Sequence, residues 1–200
     1  MRALRKHLGL RRIAARRRRW AAAGLLAVTL VVVADRCVAD DEGRPLQAQV
    51  KAAYLYKFAG YVEWPLSAFA DAAAPFTIGV VGAGDIADEL NKLKSGRAVN
   101  EHPVEVRILK PGDPTRGVQL VFVGSADAAQ LRRVLENYKT LPTLTISDIP
   151  GAVDAGCVIN FVMVDNRIRF EISLGNAERQ GLKVSSRLLA VAQRVEAGRP

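Results

Sequence analysis

The chain has 200 residues and a formal net charge of +9, with 50% hydrophobic and 24% charged residues. The positive charge is concentrated at the N-terminus, since residues 1–39 hold ten Lys or Arg and one acid, which leaves 19 basic and 19 acidic residues in the remainder. The body of the protein is therefore near neutral and has no basic stripe, which excludes a nucleic-acid-binding protein. Its roughly 160 residues suffice for one domain with its own core.

Residues 1–39 have the pattern of a secretory signal peptide. A basic segment is followed by an apolar run from Trp20 to Ala34 and then by the small residues of Cys37–Ala39. This order is typical of an export signal, and the run is shorter than the roughly 20 residues that span a bilayer. We therefore expect export, with an uncleaved N-terminal anchor as the alternative. Residues 40–46 then form a linker, and residues 47–195 form the domain.

The two cysteines, Cys37 and Cys157, are too few for a disulfide framework. Cys157 lies in an apolar run, which indicates a buried and inert thiol. Cleavage of the leader after Ala39 would remove Cys37, whereas cleavage after Ala34 would keep it as a partner for Cys157. Both alternatives stay open from the sequence.

The first helix is predicted from Leu46 to about Val62 and ends at Pro65. Its apolar residues recur at every fourth position, which predicts one buried stripe. The residues of that stripe are Leu46, Val50, Tyr54, Phe58 and Val62.

From Pro75 onward, strand and helix patterns alternate, which is typical of an α/β fold with helical crossovers. The predicted strands are Phe76–Val81, Val104–Leu109, Val118–Val123 and Thr143–Ser147. The predicted helices between them are Asp85–Lys94 and Asp127–Tyr138, the second with an N-terminal capping box formed by Asp127 and Gln130. The fold class is therefore α/β, a single domain with a mostly parallel sheet flanked by helices.

A β-hairpin and a helix are predicted at the C-terminal end of the domain. Strands Cys157–Val164 and Arg167–Ser173 flank Asp165-Asn166, a good two-residue turn. This register pairs Ile159 with Ile172, Phe161 with Phe170 and Met163 with Ile168 on one face. A short helix ending near Gly181 comes next, and the last helix is predicted from Ser186 to Val195 with Ser185 as its N-cap.

Two sequence features could carry small-molecule chemistry. Residues Gly82 to Ala87 match a loose dinucleotide-binding fingerprint after a strand. Asp85 places negative charge where phosphates would lie, so the glycines are better explained by a tight strand-to-helix turn. Asp148 in "SDIPG" could supply a carboxylate to a pocket, with an ordinary turn as the favoured alternative.

Catalytic and metal-binding residues are scarce in this sequence. A nucleophile–base pair would depend entirely on His102, and no nucleophile elbow is present. A metal site would need His102, Cys157 and carboxylates to converge without any ligand-spacing motif. We therefore expect no catalytic residues, no metal and no cofactor.

Several segments together resemble the YfiR family. "VKAAYLYKFAGYVEWP" at residues 50–65 looks like the N-terminal signature of that family, and "IGVVG", "LTISD" and "RFEISLGNAERQGLKVSSRLLAVA" look like its later blocks in the same order. The similarity covers residues 47–195. The chain departs from the family pattern at Ser173, where Asn is usual, and at Gln119, where His is frequent. It also has fewer cysteines, which puts redox control in doubt.

The resemblance implies a periplasmic, non-enzymatic repressor of a membrane-anchored diguanylate cyclase, and thereby control of cyclic-di-GMP and biofilm formation. The implied partner is the periplasmic domain of such a cyclase or of another membrane sensor. A homodimer and a small-molecule ligand stay open, and the alternative function is a periplasmic small-molecule-binding sensor. The predicted partner- or ligand-binding residues are Tyr56, Glu63, Trp64, Arg169, Glu171, Lys183 and Ser185.

Overall fold

Eight strands form the central sheet of the computed structural model, which describes residues 43–110, 112–124 and 127–198. The predicted leader, with Cys37, lies outside the described residues. From one edge to the other the strands are β10 (Arg194–Glu196), β8 (Arg167–Ser173), β7 (Ile159–Val164), β6 (Leu144–Ser147), β5 (Leu120–Val123), β2 (Phe76–Val81), β4 (His102–Ile108) and β3 (Ala98–Val99). The β7–β8 and β3–β4 pairs are antiparallel and the other pairs are parallel. The predicted mostly parallel α/β sheet is confirmed.

Helices cover both faces of this sheet. Helices α1 (Gly43–Gly60) and α2 (Gly84–Leu93) contribute buried residues to the core on one face, and α3 (Ala128–Glu136) contributes to the core on the other. Two short helices, α4 (Leu174–Arg179) and α5 (Ser186–Leu189), come after the hairpin. Because both faces are covered, every residue of β2, β5 and β6 is buried, which explains their continuous apolar runs.

The buried face of α1 differs from the predicted stripe. Leu46 is 64% exposed, and Val50 and Tyr54 are only half-buried. Phe58 and Val62 of the stripe are buried as predicted, and the other buried residues of the helix are Ala48, Ala52, Leu55 and Ala59. Alanine side chains take up little space, so a face rich in alanine can be buried completely even though it lacks the largest side chains.

The predicted end of the first helix at Pro65 is also wrong. α1 ends at Gly60, where the Tyr61 N–H turns back to donate to the Phe58 carbonyl oxygen. The next residues form strand β1 (Val62–Glu63), which pairs antiparallel with β9 (Lys183–Val184) in a separate two-stranded sheet. Glycine has a low helix propensity, and the hydrogen bonds to a distant strand outweigh continuation of the helix.

The hairpin register is confirmed at every predicted pair. Ile159 lies opposite Ile172, Phe161 opposite Phe170 and Met163 opposite Ile168. Asp165 and Asn166 have φ values of 48° and 59°, as a type I′ turn requires. The register brings the Phe161 and Phe170 rings under α1, where their centroids lie 5.8 and 4.9 Å from that of Phe58.

The last predicted helix is much shorter than expected. α5 covers only Ser186–Leu189, with Ser185 as its N-cap, and β10 begins at Arg194. Val191 and Val195, which lie within the predicted helix, are 63% and 40% exposed. The backbone after α5 instead finds its hydrogen bonds by adding a parallel strand to β8 at the edge of the sheet.

The two residues that depart from the family pattern have defined structural roles. The buried Gln119 amide accepts from the Thr77 N–H at 2.7 Å and donates to the Ala68 carbonyl oxygen at 2.5 Å. Ser173 is the N-cap of α4, because its hydroxyl accepts from the Asn176 N–H. Serine and asparagine are both favourable N-caps, so Ser173 preserves this helix start.

Truncation of Phe58 should test whether α1 docks through the aromatic cluster. Phe58 is 1% exposed, so we expect Phe58→Ala to lower the free energy of unfolding by about 3–5 kcal/mol in urea denaturation. Leu66→Ala is the matched control, because Leu66 is 96% exposed and its loss should change stability by less than about 0.5 kcal/mol. Similar losses in both variants would contradict this account of the packing.

Candidate functional site

Three of the predicted site residues come together where α1 ends. Strand pairing sets Glu63 directly opposite Lys183, and the Ser185 N–H donates to the Tyr61 carbonyl oxygen at 2.9 Å. We call residues 61–66 and 183–185 the β1–β9 corner. The opposite charges of Glu63 and Lys183 are both exposed, so this corner presents polar groups on a backbone held by two strands.

Trp64 also belongs to the corner, but its ring is turned inward. It lies edge-on against Phe76 with 5.2 Å between centroids, and its Nε1 donates to the Ala59 carbonyl oxygen at 3.4 Å. The sequence suggested a free contact residue at this position. The structure shows a half-buried side chain that anchors the chain after α1 to the sheet.

The exposed apolar residues of the corner were not among the predicted site residues. Leu66 is 96% exposed and Tyr61 is 40% exposed, although Val62 between them is buried. A signal was available, because Leu66 follows Pro65, the predicted end of the first helix, and so belongs to no predicted apolar stripe. In the structure Leu66 begins a short 3-10 helix, Leu66–Ala68, with Pro65 as its N-cap. Leu66 and Tyr61 are thus two exposed apolar side chains in a corner that also carries the charges of Glu63 and Lys183.

Arg169 and Glu171 lie on the hairpin, at a second place. Glu171 is half-buried and its Oε2 accepts from Arg194 Nη2 at 2.7 Å, while Arg194 Nη1 lies 2.8 Å from Glu196 Oε1. Arg169 is exposed on the same strand. The Glu171 carboxylate, predicted to contact a partner or ligand, is therefore already paired with Arg194. The sequence pattern predicted that Arg194 lies in a helix.

Tyr56 lies apart from both groups. Its hydroxyl donates to the Ala98 carbonyl oxygen at 3.3 Å, and the Arg97 guanidinium lies 5.6 Å from the centre of its ring. Burial raises the pKa of the Tyr56 hydroxyl above its usual range, with an opposing effect from the positive charge of Arg97. This residue ties α1 to the segment around β3.

A cleft of about 600 Å³ opens between the N-terminal half of α1, the loop after β6 and the hairpin. On one side Lys51 Nζ lies 2.7 Å from Asp148 Oδ2, and these side chains are 14% and 26% exposed. Glu171 and Arg194 supply charges on another side. The apolar lining comprises Pro150, Val153, Phe161, Val162, Met163 and Ile168. Asp148 is thus a cleft carboxylate, and Lys51 is a lining residue that sequence patterns assigned only to the polar side of a helix.

The loop that forms the cleft wall is held by buried hydrogen bonds. The Asn160 amide nitrogen lies 3.0 Å from the Ser147 carbonyl oxygen and 3.3 Å from that of Ile149, the orientation that these two acceptors require. The Ser147 hydroxyl donates to the Val123 carbonyl oxygen at 2.8 Å. Because these residues are buried in the sheet, the position of Asp148 is set by the end of β6.

The glycine-rich turn and His102 are accounted for by local structure. Gly82 has a φ of 72°, which favours glycine, and Asp85 Oδ1 accepts from the Ile86 N–H at the start of α2. The His102 ring stacks on Phe69 at 3.9 Å and its Nδ1 lies 2.6 Å from the Ala74 carbonyl oxygen. Among the described residues, no group of three His, Cys, Asp or Glu side chains is arranged to hold a metal ion.

Cys157 lies fully buried at the start of the hairpin, next to the α3 side of the sheet. Burial raises the pKa of its thiol to about 12, and a hydrogen bond with Thr145 acts in the opposite direction. Reactive thiols are exposed and have lowered pKa values, so Cys157 has the properties of a packing residue.

These features define an α/β domain with an exposed apolar corner and a separate cleft. The chain matches the family model described as YfiR/HmsC-like over residues 48–193, which is well over half of its length, and it belongs to that family. Members of the family are periplasmic regulators of diguanylate cyclase signalling. A search of curated proteins found no significant match. None of the helices in the described residues has the length and apolar character needed to span a bilayer.

The raised pKa of Cys157 predicts a loss of stability at high pH. The folded-state pKa of about 12 lies above the ordinary value of 9.0, so the unfolded state loses its proton first as the pH rises. The contribution of Cys157 is fully present below pH 9.0 and is lost between 9.0 and about 12, at up to about 1.4 kcal/mol per pH unit. Urea denaturation over this range should show a steeper decline for a Cys37→Ser variant than for Cys37→Ser/Cys157→Ala. Equal slopes would contradict the burial argument.

Proposed function

We propose that this protein binds the periplasmic domain of an inner-membrane diguanylate cyclase and holds that enzyme inactive. Membership of the YfiR/HmsC-like family supports this function, since the family regulates cyclic-di-GMP signalling. The protein acts without catalysis, by occupancy of its partner, and its binding limits cyclic-di-GMP production and biofilm formation. The thin set of acid–base residues in the sequence agrees with a regulatory role.

The observation that carries the proposed contact is the exposure of Leu66. Its side chain is 96% exposed, and Tyr61, at 40%, adds a second exposed apolar surface in the same corner. Exposed apolar groups rimmed by charges are typical of protein-binding surfaces, where the apolar centre supplies affinity and the charges supply orientation. Glu63, Lys183 and Ser185 form that polar rim.

The other predicted site residues take different roles in this proposal. Trp64 positions the corner through Phe76 and the Ala59 carbonyl group, and it contacts the partner little. Arg169 and Glu171 form a separate polar strip beside Arg194, and Tyr56 supports the segment around β3. Contact with the partner is therefore centred on Leu66 and Tyr61, with the hairpin outside it.

A repressor of this kind must bind the inactive state of its partner more tightly than the active state. A shift of the partner from 1:99 to 99:1 requires about 5.5 kcal/mol of differential affinity. A few buried apolar anchors supply energy of this size when they fill a pocket present in one state only.

Substitution of Leu66 by aspartate should separate binding from folding. The partner used is the purified periplasmic domain of an inner-membrane diguanylate cyclase from the same bacterium. Because Leu66→Asp would force a charge into the apolar centre of the interface, we expect the Kd in calorimetric titration to rise about 30-fold or more. The thermal unfolding midpoint should stay unchanged, since the side chain has almost no contacts in the free protein.

Met163→Asp is the matched control for this experiment. Met163 is also an exposed apolar residue, at 53%, but it lies on the hairpin beside the cleft. We expect normal partner affinity in this variant. If Leu66→Asp binds the partner normally and Met163→Asp loses affinity, the contact surface lies on the hairpin. If neither variant loses affinity for the partner, the corner is excluded as the contact surface.

The cleft favours a second candidate function, a periplasmic sensor that binds a small molecule. Its volume of about 600 Å³ is in the range of small-ligand sites, and it combines an apolar wall with the charges of Lys51, Asp148 and Arg194. Such chemistry suits a compact molecule with both a charged and an apolar group. The two functions are compatible, because a ligand could change affinity for the partner.

A thermal-shift screen tests this second function, with small molecules that carry both a charged and an apolar group. A ligand at 100 times its Kd should raise the free energy of unfolding by about 2.7 kcal/mol. Asp148→Asn should remove that stabilisation because it deletes a cleft charge, whereas Leu66→Asp should retain it. If Asp148→Asn keeps the full stabilisation, the ligand binds elsewhere.

A further inference from the structure

The outer side of β4 is an open sheet edge. β4 pairs with β2 along Val104–Ile108 on its inner side, but β3 covers only His102 and Pro103 on its outer side. Within the described residues, no strand pairs with the outer side from Val104 to Ile108. An uncovered edge of this length presents a row of free backbone donors and acceptors that can pair with another strand.

The inner hydrogen bonds show which residues present those free groups. The Leu109 N–H donates to the Val80 carbonyl oxygen of β2 at 2.8 Å, so Leu109 faces the inner side. Because successive residues of a strand point their backbone groups to opposite sides, Val104, Val106 and Ile108 direct N–H and C=O groups outward.

The side chains at this edge are complementary to a copy of themselves. We propose that two molecules of this protein associate through antiparallel pairing of their β4 strands, centred on Val106. In this register Val106 lies opposite Val106 of the second copy, and Glu105 lies opposite Arg107 of the second copy. By the two-fold symmetry, the Glu105–Arg107 pair occurs twice.

The hydrogen-bond pattern makes this register favourable. The two Val106 residues face each other as a hydrogen-bonded pair, so Glu105 and Arg107 fall at non-hydrogen-bonded positions, where cross-strand side chains come closest. Opposite charges at such positions stabilise the pairing. Within the described part of the chain, neither Glu105 nor Arg107 forms an ion pair in the single molecule, so both charges are available.

Neighbouring symmetric registers are unfavourable. Centring the pair on Glu105 would place two glutamates opposite each other, and centring it on Arg107 would place two arginines opposite each other. Like charges directly across a strand pair are destabilising. The central register also covers Ile108, which is 63% exposed in the single molecule and would face Val104 of the second copy.

A charge-swap experiment tests both the dimer and its register. The protein is purified in its exported form, and its dissociation constant is measured by sedimentation equilibrium over micromolar concentrations. Glu105→Arg or Arg107→Glu alone turns two attractive pairs into repulsive ones, so each should raise the dissociation constant about tenfold or more. The double variant Glu105→Arg/Arg107→Glu restores opposite charges and should return it to within about threefold of the wild type.

Lys57→Glu is the control, because it makes the same charge change as Arg107→Glu on an exposed position of α1 and should leave association unchanged. Val106→Cys in a Cys37→Ser background should form an intermolecular disulfide, since Cα atoms of a hydrogen-bonded antiparallel pair lie about 5.5 Å apart. A monomeric wild type, or a dimer that neither charge reversal weakens, overturns the proposal. Failure of the double variant to recover association would reject this register.

Discussion

The docking of α1 on the sheet is the contact on which the rest of the structure depends. Phe58 packs against both Phe161 and Phe170, and three alanines of the helix are buried at the same face. This packing sets the position of the helix end, and so of the β1–β9 corner. It also sets the position of Lys51, three residues before Tyr54, beside Asp148 at the cleft. One helix therefore places both candidate surfaces.

The corner and the cleft suit different kinds of recognition. The corner projects apolar side chains from a backbone held by strand pairing, which fits binding to a partner with little rearrangement. The cleft is concave and joins charges from α1, the loop after β6 and β10 with an apolar wall, as small-ligand sites do. Both surfaces adjoin α1, since Lys51 of this helix lines the cleft and the corner begins at the residue after its end.

The two edges of the sheet differ in how their exposed strands carry charged residues. At one edge, β10 is short and carries Arg194 and Glu196. Arg194 forms ion pairs with both Glu196 and Glu171. At the other edge, β3 shields only the start of β4, and the remaining edge alternates valine with opposite charges. Charged residues are a common protection for sheet edges. Here their alternating sign makes the same edge complementary to itself.

The sequence by itself determined the fold class, the strands of the core and the hairpin register, because buried strands and a two-residue turn have local signatures that need no distant partner. The caps at Asp127 and Ser185 arise from equally local hydrogen bonds. The tertiary structure alone decided where α1 ends and how the chain continues after α5, since β1 and β10 exist only through pairing with strands far along the chain. It also decided which of the predicted site residues meet. Lys51 and Asp148 are 97 positions apart, and only packing of the helix against the end of β6 joins them.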